Sequence, residues 1–273
     1  MFNENVESKI RVLLSGYSGR MGRAVSESAR AGCNFFVVAG VCKGSKNLGL
    51  DHDKSVLLFN NFSEIKNILV DVIIDFSSKD ILEDILKFAL ENSVPAVIGT
   101  TGHDKNQLRK IKEASENIPI FFSGNMSIGV NLLIKSCKEI AKILRRNCDV
   151  EIIEKHHNKK KDAPSGTALM VADAISSALD SDCGKSEYIF DRTKIHKERR
   201  KGEIGISCVR AGTIVGEHSV IFGLEGETIT LTHSADSRKI FARGALAASK
   251  FIIKKPPGLY NMEDLCKEGL CCL

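Results

Sequence analysis

Residues 10–22 read IRVLLSGYSGRMG, and the reading of this stretch decides the fold. The apolar run at 10–14 is short enough for a strand buried on both faces, and the periodicity of 20–31 predicts a helix. Between them Gly16, Gly19 and Gly22 stand three residues apart. Glycines there permit a tight turn, let backbone amides approach a pyrophosphate, and let helix pack on strand. The amides that open the helix carry partial positive charge for phosphates. A lone G-x-x-G-x-x-G also fits an ordinary strand-to-helix turn. Placed after the first strand of an alternating series, it points to dinucleotide binding by Gly16, Tyr17, Ser18, Gly19, Arg20 and Met21.

The series continues through residue 125. Strands are expected at 35–41, 72–75, 96–98 and 118–122, and helices at 81–91 and 105–116. Such alternation gives a parallel sheet with helices on both faces, so the class is α/β with an N-terminal Rossmann-type domain. Ligands of open parallel sheets lie beyond the carboxyl ends of the strands. Two loops occupy that position: Gly99, Thr100, Thr101 and Gly102, then Ser123, Gly124, Asn125 and Met126. Their small and amide-bearing residues suit a nicotinamide ring, although each also fits plain turn chemistry. A carboxylate for the adenosine ribose is expected near Val41-Cys42-Lys43-Gly44, and none is there. Lys43 stands where a 2′-phosphate would sit, which permits NADPH; it reads equally as a solvated loop lysine.

Further along, a helix is expected over 128–144, followed by EIIEKHHNKKKDAPSGTA at 151–168. Val150, Ile152 and Ile153 open this stretch as a strand, and ALMVADAISSAL closes it as a helix. Two histidines and four lysines lie in the span. Strand, charged loop and helix N-terminus together make a place to bind an anion and move a proton. Neighbouring strand residues face opposite ways, so His156 and His157 are expected to play different parts. Beyond residue 200 the texture changes to short strands at 204–210, 218–222 and 227–233, separated by glycine-bearing turns. This reads as an antiparallel meander in a smaller α+β domain. A last helix at 238–253 stops at Pro256-Pro257-Gly258. The change of pattern places a domain boundary near 127.

Composition narrows the function classes. With 273 residues, 43% hydrophobic and 27% charged, the chain is an ordinary globular protein with room for two domains. No apolar run reaches the ~18 residues of a membrane span. The start, MFNENVESK, resembles neither a secretory signal nor a transit peptide, so cytoplasmic residence is expected. The nine cysteines are then reduced thiols, and they form no C-x-x-C pair or metal ligand set. The basic cluster RTKIHKERRK at 192–201 has no interleaved aromatics, and the chain has no tryptophan and three tyrosines. Stacking platforms for nucleic acid are therefore missing, and an acidic small molecule suits the net charge of +5 better.

Assembled, these residues resemble the 4-hydroxy-tetrahydrodipicolinate (dihydrodipicolinate) reductase family end to end. The most specific element is E-x-x-E-x-H-H-x-x-K-x-D-A-P-S-G-T at 151–167. Others are G-x-x-G-R-M-G at 16–22, G-T-T-G at 99–102, R-A-G-x-I-V-G-E-H at 210–218 and R-x-x-F-A-x-G-A at 238–245. The resemblance implies an NADPH- or NADH-dependent reductase of a cyclic unsaturated dicarboxylate, on the diaminopimelate route to lysine. It implies a dinucleotide-binding domain of residues 1–127 completed by 238–273. Residues 128–237 would then form a substrate domain whose sheet builds a homotetramer. By motif position His156 is the family's proton donor or acceptor and Lys160 its proton donor. His157, Gly166 and Thr167 correspond to substrate contacts. Another two-domain oxidoreductase of an amino or hydroxy acid would explain the N-terminal half equally, whereas a non-catalytic NADP sensor would bind cofactor without turnover, which intact His156 and Lys160 argue against. The alternative oxidoreductase leaves the histidine-lysine segment within 151–167 without a role.

Overall fold

The computed structural model describes residues 9–32, 34–42, 49–50, 55–179 and 186–269. They divide into two compact units, one of residues 1–127 with 239–273 and one of residues 128–238. In the first, β1 (Ile10–Ser15) leads to α1 (Arg20–Ala31) and β2 (Phe35–Val41); β3 (Gly49–Leu50) and β4 (Leu57–Phe59) follow. Next come β5 (Val72–Asp75), α2 (Leu82–Asn92), β6 (Ala96–Ile98), α3 (Lys105–Ser115) and β7 (Pro119–Phe122). The second unit holds α4 (Ile128–Leu144), β8 (Asp149–His156), α5 (Gly166–Leu179), β9 (Glu187–Ile189), β10 (Glu203–Arg210), β11 (Gly216–Leu224) and β12 (Glu227–Ala235). The chain then returns to the first unit with α6 (Lys239–Ile252), β13 (Gly258–Tyr260) and α7 (Met262–Lys267).

The first sheet runs β13-β7-β6-β5-β1-β2-β4-β3, and every pairing is parallel except that of the edge strand β3 with β4. Its central strands are continuous apolar runs because helices cover both faces. Val12, Leu13 and Leu14, and likewise Val72, Ile73 and Ile74, are fully buried. The chain builds outward from β1 through β2 to β4, then crosses back to β5 on the other side of β1. The crevice at the carboxyl ends of β1 and β5 is therefore the topological switch point. Small residues on α6 allow it to lie close: a Cβ on Gly244 would stand 1.7 Å from the Met126 carbonyl oxygen.

The second sheet is mixed, in the order β12-β11-β8-β10-β9. β11 is antiparallel to both β12 and β8, whereas β10 is parallel to β8 and β9. The expected three-strand meander thus holds only for the β11–β12 hairpin; β8 inserts between β11 and β10. Alternation along β8 and β11 sends Val150, Ile152, Val220 and Phe222 into a core with α4 and α5, and leaves Ile153, Ser219 and Ile221 half-buried on the opposite face. The short strands β3, β4 and β9 carry no pattern long enough to predict. The helix expected to be last is followed by β13 and α7, because 258–260 extend the sheet edge beside β7.

Ile152 is fully exposed to the core and not at all to solvent, on the central strand of its sheet. Ile152→Ala is expected to lower the free energy of unfolding by about 2–5 kcal/mol, read by urea denaturation. A loss well under 1 kcal/mol would contradict the packing described.

Candidate active site

The charged segment of the second unit is organised by a carboxylate in an apolar row. Glu154 follows Val150 and Ile152 on the buried side of β8 and is 0% exposed. A charge there must be paired and fully hydrogen-bonded. Arg210, at the end of the neighbouring β10, supplies a bidentate partner: its Nη1 donates to Oε2 at 2.7 Å and its Nη2 to Oε1 at 2.6 Å. The Ser165 amide donates to Oε1 at 3.0 Å, and His156 Nδ1 lies 2.6 Å from Oε2. Burial alone would push this carboxyl up; the hydrogen bonds from Arg210 and His156 outweigh it and hold Glu154 at about 2.

His156 shares the buried side of β8, where burial pushes its imidazole down and Glu154 partly restores it. His218 of β11 meets it edge to face, with ring centroids 5.2 Å apart, and hydrogen-bonds Ser165 Oγ at 3.1 Å. Burial and the neighbouring His156 push His218 down to about 4, so it is neutral near pH 7. Ser165 caps α5: its Oγ accepts from the Ala168 amide at 3.2 Å and its carbonyl from the Leu169 amide at 3.1 Å. Gly166 and Thr167 open the helix behind that cap.

The loop from 157 to 165 folds back on β10. The Lys160 amide donates to the His157 carbonyl at 3.1 Å, and Arg210 Nη2 reaches the Asp162 carbonyl at 2.7 Å. Lys160 Nζ pairs with Asp162 Oδ2 at 2.8 Å, with side-chain exposures of 21% and 59%. The hydrogen bond from Lys160 lowers the Asp162 carboxyl despite some burial. Lys159 and Lys161 point to solvent, so Lys160 alone of the three turns inward. His157 is half-buried, and its Nδ1 has no hydrogen-bond partner among the described residues. His156, Lys160 and the start of α5 are therefore brought together. Glu154, Arg210 and His218 were assigned no role from sequence; the signal for Glu154 is a charge at a buried position of a period-two row.

In the first unit the glycine turn is shaped by lack of space. Gly16 has φ +79°, and a Cβ there would stand 2.4 Å from the Phe76 carbonyl oxygen; one on Gly22 would stand 2.2 Å from that of Gly16. The N-cap of α1, Gly19, offers no side-chain cap, which leaves the helix start suited to an anion. Tyr17 fits because β2 carries Gly40 beneath its ring, where a Cβ would meet Cγ at 2.7 Å. Ser18, Arg20 and Met21 complete the turn and first helical residues. At the switch point a cavity of about 550 Å³ is lined by Met21, Phe76, Ser77, Gly99, Thr100 and Thr101 among others. Asp75 beneath it is fully buried, pushed up by burial and countered by Ser77, Thr100 and Ser15. Ser123 and Asn125 bond within their own loop: Ser123 Oγ donates to the Asn125 carbonyl at 2.9 Å, and the Ser127 amide to Asn125 Oδ1 at 2.8 Å. Gly124 is exposed between them, whereas the Met126 side chain is buried. Cys42 is buried at the end of β2, and Lys43 lies outside the described residues. A cavity of this kind, floored by glycines and small hydroxyls at strand ends, fits a nicotinamide nucleotide.

Two arginines of the basic cluster at 192–201, Arg192 and Arg199, are used structurally. Arg199 pairs with Glu151 and, at 2.9 Å, with Asp149; Arg192 bonds Glu151 at 3.3 Å and Glu203 at 3.2 Å. Among the described residues no helix is long and apolar enough to cross a membrane.

Comparison with known proteins bears on both units. Residues 10–126 match the family "Dihydrodipicolinate reductase, N-terminus" and residues 129–266 match "Dihydrodipicolinate reductase, C-terminus". The chain is 48% identical to the 4-hydroxy-tetrahydrodipicolinate reductase of Caldanaerobacter subterraneus subsp. tengcongensis, over 95% of this chain and 99% of the relative. It is 43% identical to that of Clostridium novyi, over 94% and 98%. Among solved structures, a dipicolinate-bound dihydrodipicolinate reductase from Paenisporosarcina sp. TG-14 superposes with a TM-score of 0.76 at 27% identity, covering 93% of this chain and 97% of that one. The chain belongs to the dihydrodipicolinate reductase family, whose reductases use a nicotinamide cofactor.

Proposed function

We propose that this chain reduces 4-hydroxy-tetrahydrodipicolinate to tetrahydrodipicolinate on the diaminopimelate route to L-lysine, in the cytoplasm, with NADPH preferred and NADH accepted. The observation that carries the reading is the gathering of His156 and Lys160 at the Glu154–Arg210 pair, in a chain of this family. The bound dipicolinate of the Paenisporosarcina relative is a cyclic dicarboxylate, in keeping with such a substrate.

Residues 1–127 with 238–273 hold the nucleotide. Gly16 to Met21 take the pyrophosphate, while Gly99, Thr100, Thr101 and the loop from Ser123 to Met126 border the nicotinamide. That cofactor supplies a hydride when bound. Residues 128–237 hold the substrate. His157 and the first amides of α5, at Gly166 and Thr167, receive a carboxylate, favoured by the helix dipole. Loss of the 4-hydroxyl with a neighbouring ring proton, as water, makes the conjugated imine; hydride arriving there then leaves an electron-rich atom that must take one proton. Lys160 delivers that proton, and His156 acts as acid or base beside it. Lys160→Ala is expected to lower kcat by roughly 10²–10⁴-fold and to leave nucleotide affinity, measured by titration calorimetry, near that of the parent. Wild-type turnover at saturating substrate would remove the proton-donor role.

Cofactor choice follows from Cys42 and Lys43. A thiol cannot accept the ribose hydroxyls as a carboxylate does, and Lys43 can meet a 2′-phosphate as a point charge. A charge-assisted hydrogen bond contributes ~1.5–3 kcal/mol, reduced by exposure and salt, which corresponds to at most roughly ten- to hundredfold. Lys43→Ala is therefore expected to raise KM for NADPH and leave KM for NADH nearly unchanged. Equal losses with both nucleotides would place Lys43 elsewhere.

The face of the second sheet that carries Ile153, Ser219 and Thr232 in register, half-buried on the first two strands and exposed on the third, suits association with further copies into a homotetramer. Multi-angle light scattering is expected to report a tetramer, and a monomer mass at assay concentration would reject it.

A further inference from the structure

We infer that Glu154 and Gly216 are positioning residues for His156: the carboxylate fixes which ring nitrogen carries the resting proton, and the missing side chain keeps the other nitrogen clear. This deepens the proposed function and rests on it, because His156 is the group positioned.

The first half follows from hydrogen-bond bookkeeping. Glu154 already accepts from two Arg210 nitrogens and the Ser165 amide, and an ionised carboxylate has no proton to give. The 2.6 Å contact with His156 must therefore be Nδ1–H donating to Oε2. The neutral ring then carries its lone pair on Nε2, which is the nitrogen left to take or give a proton. Because Arg210 grips both carboxylate oxygens, Glu154 cannot swing, and the ring it holds cannot turn over without losing a buried hydrogen bond.

The second half comes from the strand opposite. Gly216 pairs with Ala235 in an ordinary antiparallel ladder and has no positive φ, so its backbone does not require glycine. The space does. A Cβ at 216 would stand 3.1 Å from His156 Nε2 and 3.4 Å from Cδ2, tighter than a normal contact. With Nδ1 pinned by Glu154 and the His218 ring packed against it, His156 has little freedom to withdraw. Gly223, on the same strand, is the natural control: a Cβ there would make an ordinary 3.8 Å contact with Asp149.

Four variants decide the matter: His156→Ala, Gly216→Ala, Gly223→Ala and Glu154→Gln, each assayed for kcat, substrate KM, melting temperature and pH–rate profile. Gly216→Ala is expected to lower kcat by up to roughly 10²-fold, the scale of a misplaced catalytic group, with melting temperature and nucleotide affinity near the parent. Gly223→Ala is expected to match the parent. The groups facing His156 are Glu154 on β8, Lys160 on the loop, Arg210 on β10 and His218 on β11. Of these only Glu154 raises its proton affinity, so Glu154→Gln is expected to move the limb of the profile that belongs to His156 to lower pH. Should that variant fail to fold with Arg210 unpaired, Gly216→Ala decides alone. Wild-type kcat in Gly216→Ala, with His156→Ala impaired, overturns the inference and leaves the proposed function standing. Wild-type turnover in His156→Ala overturns the role of the histidine and the inference with it.

Discussion

The Glu154–Arg210 ion pair is the contact on which the arrangement of the second unit turns. It joins the ends of β8 and β10 across a sequence separation of 56 residues, and the same carboxylate anchors His156 and the amide that precedes α5. Taking two charges out of water is expensive, and a buried pair often stabilises a fold no more than well-packed apolar residues would. Its value here lies in geometry. One carboxylate, satisfied on both oxygens, sets the strand end, the ring and the helix start relative to one another. Removing either partner would leave a lone charge, so the constraint tolerates little variation.

The first unit solves a different problem with the opposite means. Where the second unit fills its site with charge, the first empties its own of side chains. Gly16, Gly22, Gly40 and Gly99 each stand where a Cβ would strike backbone or ring at under 3 Å. Close approach of the backbone is what a helix start needs if its amides are to reach an anion. The cost is local: Tyr17 occupies the room that Gly40 leaves, so that pair must vary together if it varies at all.

Much of this was legible in the residues. The span of β2 and of α1, and the parallel character of the first sheet, follow from apolar runs alternating with amphipathic stretches, because local period and burial agree there. The place of β10 was not legible. Its apolar pattern fits an edge or a centre equally, and nothing local says that β8, some fifty residues earlier, is its parallel neighbour. The strands β3, β4 and β9 are too short for a period to show. At the site, the two histidines and the run of lysines stood out by chemistry, whereas Glu154 and Arg210 are read as partners only once the sheet brings them together. The motif at 151–167 supplied the family and with it the roles; spacing alone left three adjacent lysines undivided. Exposure separates them, since Lys160 is drawn in while its neighbours face water.

The two ion pairs near His156 differ in a way that bears on the proposed reaction. Glu154–Arg210 is buried and holds its partners through four oxygen-directed bonds, so an arriving anion cannot displace it. Lys160–Asp162 is a single contact whose carboxylate is more than half exposed, and pairs of that kind contribute about 0–1 kcal/mol. Under the proposed function an incoming substrate carboxylate takes Lys160 from Asp162 at small cost, which would bring the ammonium to the reacting atoms. His218, held neutral at about 4, adds no positive charge against this movement and does not compete with His156 for the proton. The fixed pair thus keeps the histidine still, and the loose pair leaves the lysine free to change partners. That division is the one that the proposed role of Lys160 as proton donor, beside a rigid strand end, calls for.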